Sequence, residues 1–205
     1  MKTVYFQYGE KEINYLKQCD EALSKIIDQY GFIEREVIPD IYTGLLHTVV
    51  GQLLSTKVAN VIFSRLEAMV GNMTPENVAQ YSIEEIKQCG LTKRKSQTIK
   101  EITDRILKGE LNLQSLQQKN NKEVIEELTL IKGIGEWSAE MILILTLQRK
   151  DVLSYKDLAI RRGLCRLQGL SQIDRETFEI YKQRYSPYGS IAALYLWKLS
   201  HEKEK

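Results

Sequence analysis

Leu128-Thr129-Leu130-Ile131-Lys132-Gly133-Ile134-Gly135-Glu136-Trp137-Ser138-Ala139 is the segment whose residue types and spacing are best suited to chemistry. Its periodicity runs a helix into a tight turn with two glycines, and a second helix starts at once. Gly133 and Gly135 permit a positive φ and a close backbone approach. The free amides and positive dipole end of the new helix suit an anion, most simply a phosphate. Ile134 would pin the turn into the core, and Ala139 would let the two helices cross closely. Twenty residues past Trp137 stands Asp157, ahead of an amphipathic helix with Leu158, Ile160, Leu164 and Leu167. Read plainly, Asp157 is the N-cap of that helix. A carboxylate beside a phosphate site opposes the binding of a polyanion, so it needs a second reason. Stabilising a positively charged transition state is one.

The elements that must position these residues are helical almost throughout. Ile13, Leu16, Leu23, Ile26 and Ile27 share a face of a first helix over roughly 10–30, closed by Gly31. Asp40 caps a second helix with Leu45, Leu46, Val49 and Val50, and Gly51-Gln52-Leu53-Leu54-Ser55 interrupts it. Ser55 or Thr56 starts a third helix, Thr74-Pro75 a short one, and Ser82-Ile83-Glu84-Glu85 is a capping box. Thr92 opens a helix closed by Gly109, and Glu123 to Leu130 is another. Val4-Tyr5-Phe6 is β-prone but short and without an evident partner. The chain reads as all-α, about ten helices in two lobes, with an active-site cleft between them. Residues 1–40 are expected to pack with the C-terminal lobe. Residues 41–150 form a central lobe that includes the hairpin over about 123–148, and 151–205 hold a loop and the C-terminal lobe.

The 205 residues are enough for a real core, and 43% hydrophobic with 27% charged residues is ordinary for a globular protein. The three cysteines (Cys19, Cys89, Cys165) and two histidines (His47, His201) make no metal-ligand pattern. A reduced, cytoplasmic protein without a membrane segment is expected. The net charge of +2 does not announce a nucleic-acid partner. Its distribution is more telling. Lys93, Arg94, Lys95, Lys132, Lys156, Arg161, Arg162 and Arg166 cluster at the hairpin and around Asp157, while Glu34, Glu36, Glu84, Glu85, Glu123, Glu126 and Glu127 gather elsewhere.

The pattern L-x-x-I-x-G-I-G-x-x-x-A over 128–139 resembles the helix-hairpin-helix, a sequence-independent clamp for the DNA backbone. Three further blocks extend the likeness: Tyr42 to Ser55, Cys89 to Lys95, and Lys156 to Gly163 with Tyr188 to Trp197. Together they span most of the chain and resemble the helix-hairpin-helix DNA glycosylase superfamily, within it the 3-methyladenine DNA glycosylase II (AlkA-type) branch.

The resemblance implies a base-excision repair enzyme that flips and hydrolytically releases alkylated purines of the 3-methyladenine and 7-methylguanine type from duplex DNA. It implies that Asp157 is the catalytic aspartate. Trp137, Trp197, Met141 and Tyr155 are implied base-pocket residues, although core or surface roles are open to each from the residue types alone. Trp137 stands where bifunctional members carry a lysine, which implies a monofunctional enzyme that leaves an abasic site. Leu53 falls on the wedge that enters the base stack, unless it is a core leucine, and Gln52 beside it fills the gap or contacts the opposite strand. Gln52, Leu53, Lys132, Gly133, Ile134, Gly135, Lys156 and Arg161 are the implied DNA contacts. The backbone carbonyls of Thr129, Ile131 and Ile134 fall where the family holds a structural Na+ or K+. No iron–sulfur cluster is expected, and the partner is damaged double-stranded DNA met by a monomer. Lys132, Lys156 and Met141 depart from common family residues. A glycosylase for deaminated or oxidised bases, a non-catalytic helix-hairpin-helix clamp and a helical protein-interaction domain are the competing readings.

Overall fold

A computed structural model describes residues 3–202. Thirteen α-helices and one two-stranded ribbon account for the regular structure of these residues. By contacts the chain divides into a central unit, residues 38–147, and a terminal unit that joins the stretch up to Val37 to the stretch from Gln148 onward. Among the described residues no helix is long and apolar enough to cross a membrane.

The central unit holds α3 (Ile41–Gly51), α4 (Thr56–Val70), α5 (Pro75–Ala79), α6 (Ile83–Gln88), α7 (Lys93–Leu107), α8 (Leu113–Gln118), α9 (Asn121–Thr129) and α10 (Glu136–Leu145). Local chemistry sets its punctuation. The side chains of Asp40, Ser55, Thr74, Ser82, Thr92 and Asn120 each accept an amide of the helix they open. Helices α3 and α10 are apolar on nearly every side and form the core, with Leu45, Leu46, Val49, Val50, Ile142, Leu143 and Ile144 fully buried. Ile99 and Ile102 of α7 join them, so α7 is positioned by its apolar face while its N-terminus stays at the surface.

The terminal unit holds α1 (Glu10–Cys19), α2 (Glu21–Tyr30), α11 (Leu158–Gln168), α12 (Arg175–Tyr185) and α13 (Gly189–Ser200). The expected single helix over 10–30 is two helices, because Asp20 breaks it. Asp20 is extended at φ −154 and caps α2 through Leu23 N–H. Its other carboxylate oxygen accepts bonds from Tyr185 Oη (2.9 Å), Gln168 Nε2 (2.9 Å) and Arg184 (3.3 Å). This buried carboxylate therefore ties the α1–α2 turn to α11 and α12. Val4–Tyr5 (β1) does have a partner: it pairs antiparallel with Glu36–Val37 (β2), Val4 opposite Val37. Helix α13 is the core of the unit, buried from Gly189 to Leu196. Helix α11 lies directly on its backbone, because a Cβ at Gly163 would stand 2.1 Å from the Leu196 carbonyl oxygen. Only glycine allows that crossing, and it sets where the first turn of α11 lies against the end of α13.

Candidate active site

In the central unit the hairpin lies between α9 and α10. Gly133 takes φ +100, and a Cβ there would meet the Thr98 hydroxyl at 2.0 Å. A side chain is excluded both by the conformation and by the close approach of α7. The Thr98 hydroxyl donates to the carbonyls of Lys132 and of Arg94 in its own helix, each at 3.1 Å. Gly135 is different from the expectation: it is an extended N-cap at φ −105 with open space where a Cβ would be. Its use is to leave the first amides of α10 uncovered, at the positive end of the helix. Ile134 and Ala139 are buried, as pinning and close crossing require, while Lys132 is exposed.

The turn after α3 faces that hairpin. Gln52 Nε2 donates to the Gly133 carbonyl and to Ser138 Oγ, both at 2.9 Å. Next to it, Leu53 has φ +59 and is fully exposed. A left-handed leucine costs about 1–2 kcal/mol, and no burial of its side chain offsets it. Leu53 is thus an exposed apolar projection on a strained turn, not a core residue.

In the terminal unit Asp157 is the N-cap of α11 and is buried at 7% exposure. Its Oδ1 accepts Ile160 N–H at 2.9 Å and the Trp197 indole N–H at 3.3 Å. The plain reading holds: one oxygen caps the helix, whose dipole favours a negative charge at that place. The loop ahead of Asp157 is fixed to α13. Ser190 Oγ accepts Val152 N–H (3.0 Å) and donates to the Arg149 carbonyl (2.6 Å), and Asp151 accepts Gly189 N–H (3.2 Å) and the Ser186 hydroxyl (2.6 Å).

Trp197 is half-buried, and the Arg35 guanidinium lies over its ring, 5.4 Å from the centroid. Arg35 Nε is buried with no hydrogen-bond partner, and burial lowers the pKa of the group. The indole is thus held between a guanidinium on its face and a carboxylate at its edge. Tyr155 packs edge-on against Phe178 (5.2 Å) under the Arg161 guanidinium (5.1 Å), so Arg161 is half-buried on an aromatic ring. Lys156 is exposed, Trp137 half-buried and Met141 buried within α10.

Two members of the expected basic face are committed elsewhere. Arg166 donates to the carbonyls of Leu199, Ser200 and Glu202 and so caps the end of α13. Lys95 donates to the carbonyls of Val50 and Gln52 at the end of α3. Arg35, Thr98, Ser190 and Asp151 are site-building residues that sequence reasoning passed over. Of these, Ser190 lies within the Tyr188–Trp197 block and Asp151 is an acid just ahead of a loop that closes on a helix N-terminus, while Arg35 and Thr98 gave no signal.

Of the carbonyls proposed for a monovalent cation, those of Thr129 and Ile131 lie where α9 ends and that of Ile134 just ahead of the N-cap of α10. Ile131 O accepts Ile134 N–H at 3.0 Å, which leaves its second lone pair for a ligand. Neutral carbonyl oxygens are the donor type that suits Na+ or K+, so the residues present fit such an ion.

Known proteins resemble this arrangement. The family described as the HhH-GPD superfamily base excision DNA repair protein matches residues 46–187. DNA-3-methyladenine glycosylase 1 of Schizosaccharomyces pombe is 36% identical over 197 residues, covering 94% of this chain and 86% of that protein. The solved structure of the S. pombe 3-methyladenine DNA glycosylase in complex with abasic DNA superposes with a TM-score of 0.83 at 32% identity, covering 92% of this chain and 96% of that one. A DNA-3-methyladenine glycosidase from Bacillus halodurans gives 0.81 at 33% identity, covering 98% and 93%.

Proposed function

The chain belongs to the HhH-GPD superfamily of base excision DNA repair proteins, and from that premise we propose that it is a monofunctional DNA glycosylase that hydrolyses the N-glycosidic bond of alkylated purines in duplex DNA. The observation that carries the reading is the buried Asp157 carboxylate, fixed by a helix amide and an indole N–H.

Cleavage of the bond between C1′ and the base builds oxocarbenium character on the sugar. Asp157 stabilises that charge and orients the attacking water. An alkylated purine such as 3-methyladenine or 7-methylguanine is already cationic and departs neutral, so little acid catalysis is needed. An electron-rich indole attracts such a base by stacking and cation–π forces. Trp137 cannot form a Schiff base, so the product is an intact abasic site. The amides around Gly133 to Gly135, with Lys132, hold the backbone phosphate. The carbonyls of Thr129, Ile131 and Ile134 would hold a monovalent cation, which would supply a positive charge for binding an anion. Leu53 enters the stack as the base leaves it, offsetting an unstacking cost of a few kcal/mol. The enzyme works where genomic DNA lies, in the cytoplasm and at the nucleoid if its source is bacterial.

A duplex with one alkylated purine tests the reading. Free base and an alkali-labile site are expected, with no strand break from the protein itself and no adduct trapped by borohydride. A trapped adduct would overturn the monofunctional assignment. Preferential release of deaminated or oxidised bases would move the substrate class.

A further inference from the structure

We propose that Lys95 is a positioning residue for base extrusion: its ammonium braces the turn after α3 from below and holds Leu53 in its projecting conformation. The proposal rests on the glycosylase reading above and adds to it a residue that touches neither base nor sugar.

Helix α3 ends at Gly51, and its last carbonyls have no helical partner. Lys95 Nζ donates to two oxygens at this end, Val50 O at 2.8 Å and Gln52 O at 2.7 Å. A cation at a helix C-terminus is also favoured by the dipole. These two carbonyls bracket the approach to Leu53, whose φ of +59 is not held by any burial of its own side chain. The turn therefore owes its shape to backbone ties: Lys95 from below, Leu54 N–H to Gly51 O at 3.1 Å within it, and Gln52 Nε2 sideways to the hairpin.

Lys95 and Thr98 are three residues apart on α7 and share a face. Lys95 holds the Leu53 turn, and Thr98 holds the hairpin through the Lys132 carbonyl. One helix face thus sets the apolar projection and the phosphate clamp in register, so that extrusion and backbone grip act on the same duplex. Lys95 is also ill placed for the helix it belongs to. It sits in the first turn, where the dipole opposes a cation, and burial lowers its pKa. The two carbonyls are what compensate for that placement. Its neighbours Lys93 and Arg94 are exposed and remain for solvent or phosphate.

The test uses the full chain and the variants Lys95→Met, Lys95→Arg, Leu53→Ala and Leu53→Ala/Lys95→Met. Single-turnover release of an alkylated purine is measured from a fully paired duplex and from one in which the lesion is mispaired and easier to extrude. A 2-aminopurine beside the lesion reports unstacking by its fluorescence. With the brace gone, Lys95→Met is expected to release base about 10-fold more slowly from the paired duplex, with a smaller 2-aminopurine signal. From the mispaired duplex it should stay within about 2–3-fold of wild type by the same reasoning. Lys95→Arg should recover part of the loss, and Lys95→Met should add nothing in the Leu53→Ala background.

Equal losses on both duplexes with a lowered Tm would show a merely structural lysine and overturn the proposal. A weaker, less salt-dependent Kd with unchanged single-turnover rates would make Lys95 a phosphate contact and overturn it too. If wild type releases base and Lys95→Met matches it, only this inference fails. If wild type releases no base from either duplex, the glycosylase reading fails and takes the inference with it.

Discussion

Asp157→Asn separates the helix-capping role seen for this carboxylate from the catalytic role proposed for it. Oδ1 caps α11 through Ile160 N–H at 2.9 Å and accepts the Trp197 N–H at 3.3 Å. An asparagine keeps an oxygen at that place and is as good an N-cap as aspartate, so stability should change by only a few tenths of a kcal/mol. Asp157→Ala removes the cap and should cost about 1 kcal/mol. The charge is lost in both. If the carboxylate stabilises developing positive charge at C1′, its neutralisation removes about 3–4 kcal/mol of transition-state stabilisation, a fall of about 10²–10³ in rate. The assay is single-turnover excision from a duplex with one alkylated purine, beside thermal unfolding and a DNA Kd for each variant. Asp157→Asn should bind DNA at least as tightly as wild type, since one negative charge beside a polyanion is gone, and should barely excise. Excision within a few-fold of wild type by Asp157→Asn would return Asp157 to a simple helix cap. So would a rate that tracks stability across the two variants.

Four further outcomes follow from the same geometry. Trp197→Phe removes the indole N–H that donates to Asp157 Oδ1. At 3.3 Å the bond is long, so kcat should fall by about 10-fold with little change in DNA Kd; an unchanged kcat speaks against Trp197 as an orienting group. Gly133→Ala places a Cβ 2.0 Å from the Thr98 hydroxyl at φ +100, and should destabilise by about 2–3 kcal/mol and weaken DNA binding. Thr98→Ala in the same chain should recover part of this, and a tolerant Gly133→Ala would show the approach to be slack. Asp20→Ala unties Tyr185, Gln168, Arg184 and the α2 cap at once; about 3 kcal/mol and a Tm lower by about 6–12 °C are expected by scanning calorimetry, and a shift under 2 °C, roughly the effect of an ordinary surface change, would contradict that network. The Lys150 ammonium at 2.7 Å from Glu12 holds the Glu12 carboxyl below the usual carboxylate range. The stability it contributes is complete above the unfolded value of about 4.3 and is lost as pH falls through the lower folded value. Glu12→Gln should therefore be less stable than wild type at pH 7, with the gap closing in acid; a gap independent of pH would show that charge plays no part.

Much of the site was legible because its residues obey local rules. Gly133 follows from a turn that needs a positive φ, and Asp157 from a helix that needs a cap. The helix starts at Ser55, Thr74, Ser82 and Thr92 are written in side chains that accept amides. What escaped depends on contacts between segments far apart in the chain. Asp20 reads as one polar residue in a helical period, and only α11 and α12 reveal it as a break. Val4–Tyr5 lacks a partner until residues 36–37 return beside it. Arg35 sits between acids at Glu34 and Glu36, so its place over Trp197 is invisible to charge patterning. Lys95 did leave a trace, a cation in the first turn of a helix, where the dipole disfavours one. A basic cluster invites a phosphate explanation, and the carbonyls it serves lie more than forty residues earlier.

Release of a free alkylated base is decided by mass identification of what wild type liberates from methylated duplex DNA. 3-Methyladenine and 7-methylguanine are expected in the supernatant, with the strands left whole at abasic sites. Tight DNA binding with no base released from that DNA would contradict that expectation and leave a clamp without chemistry.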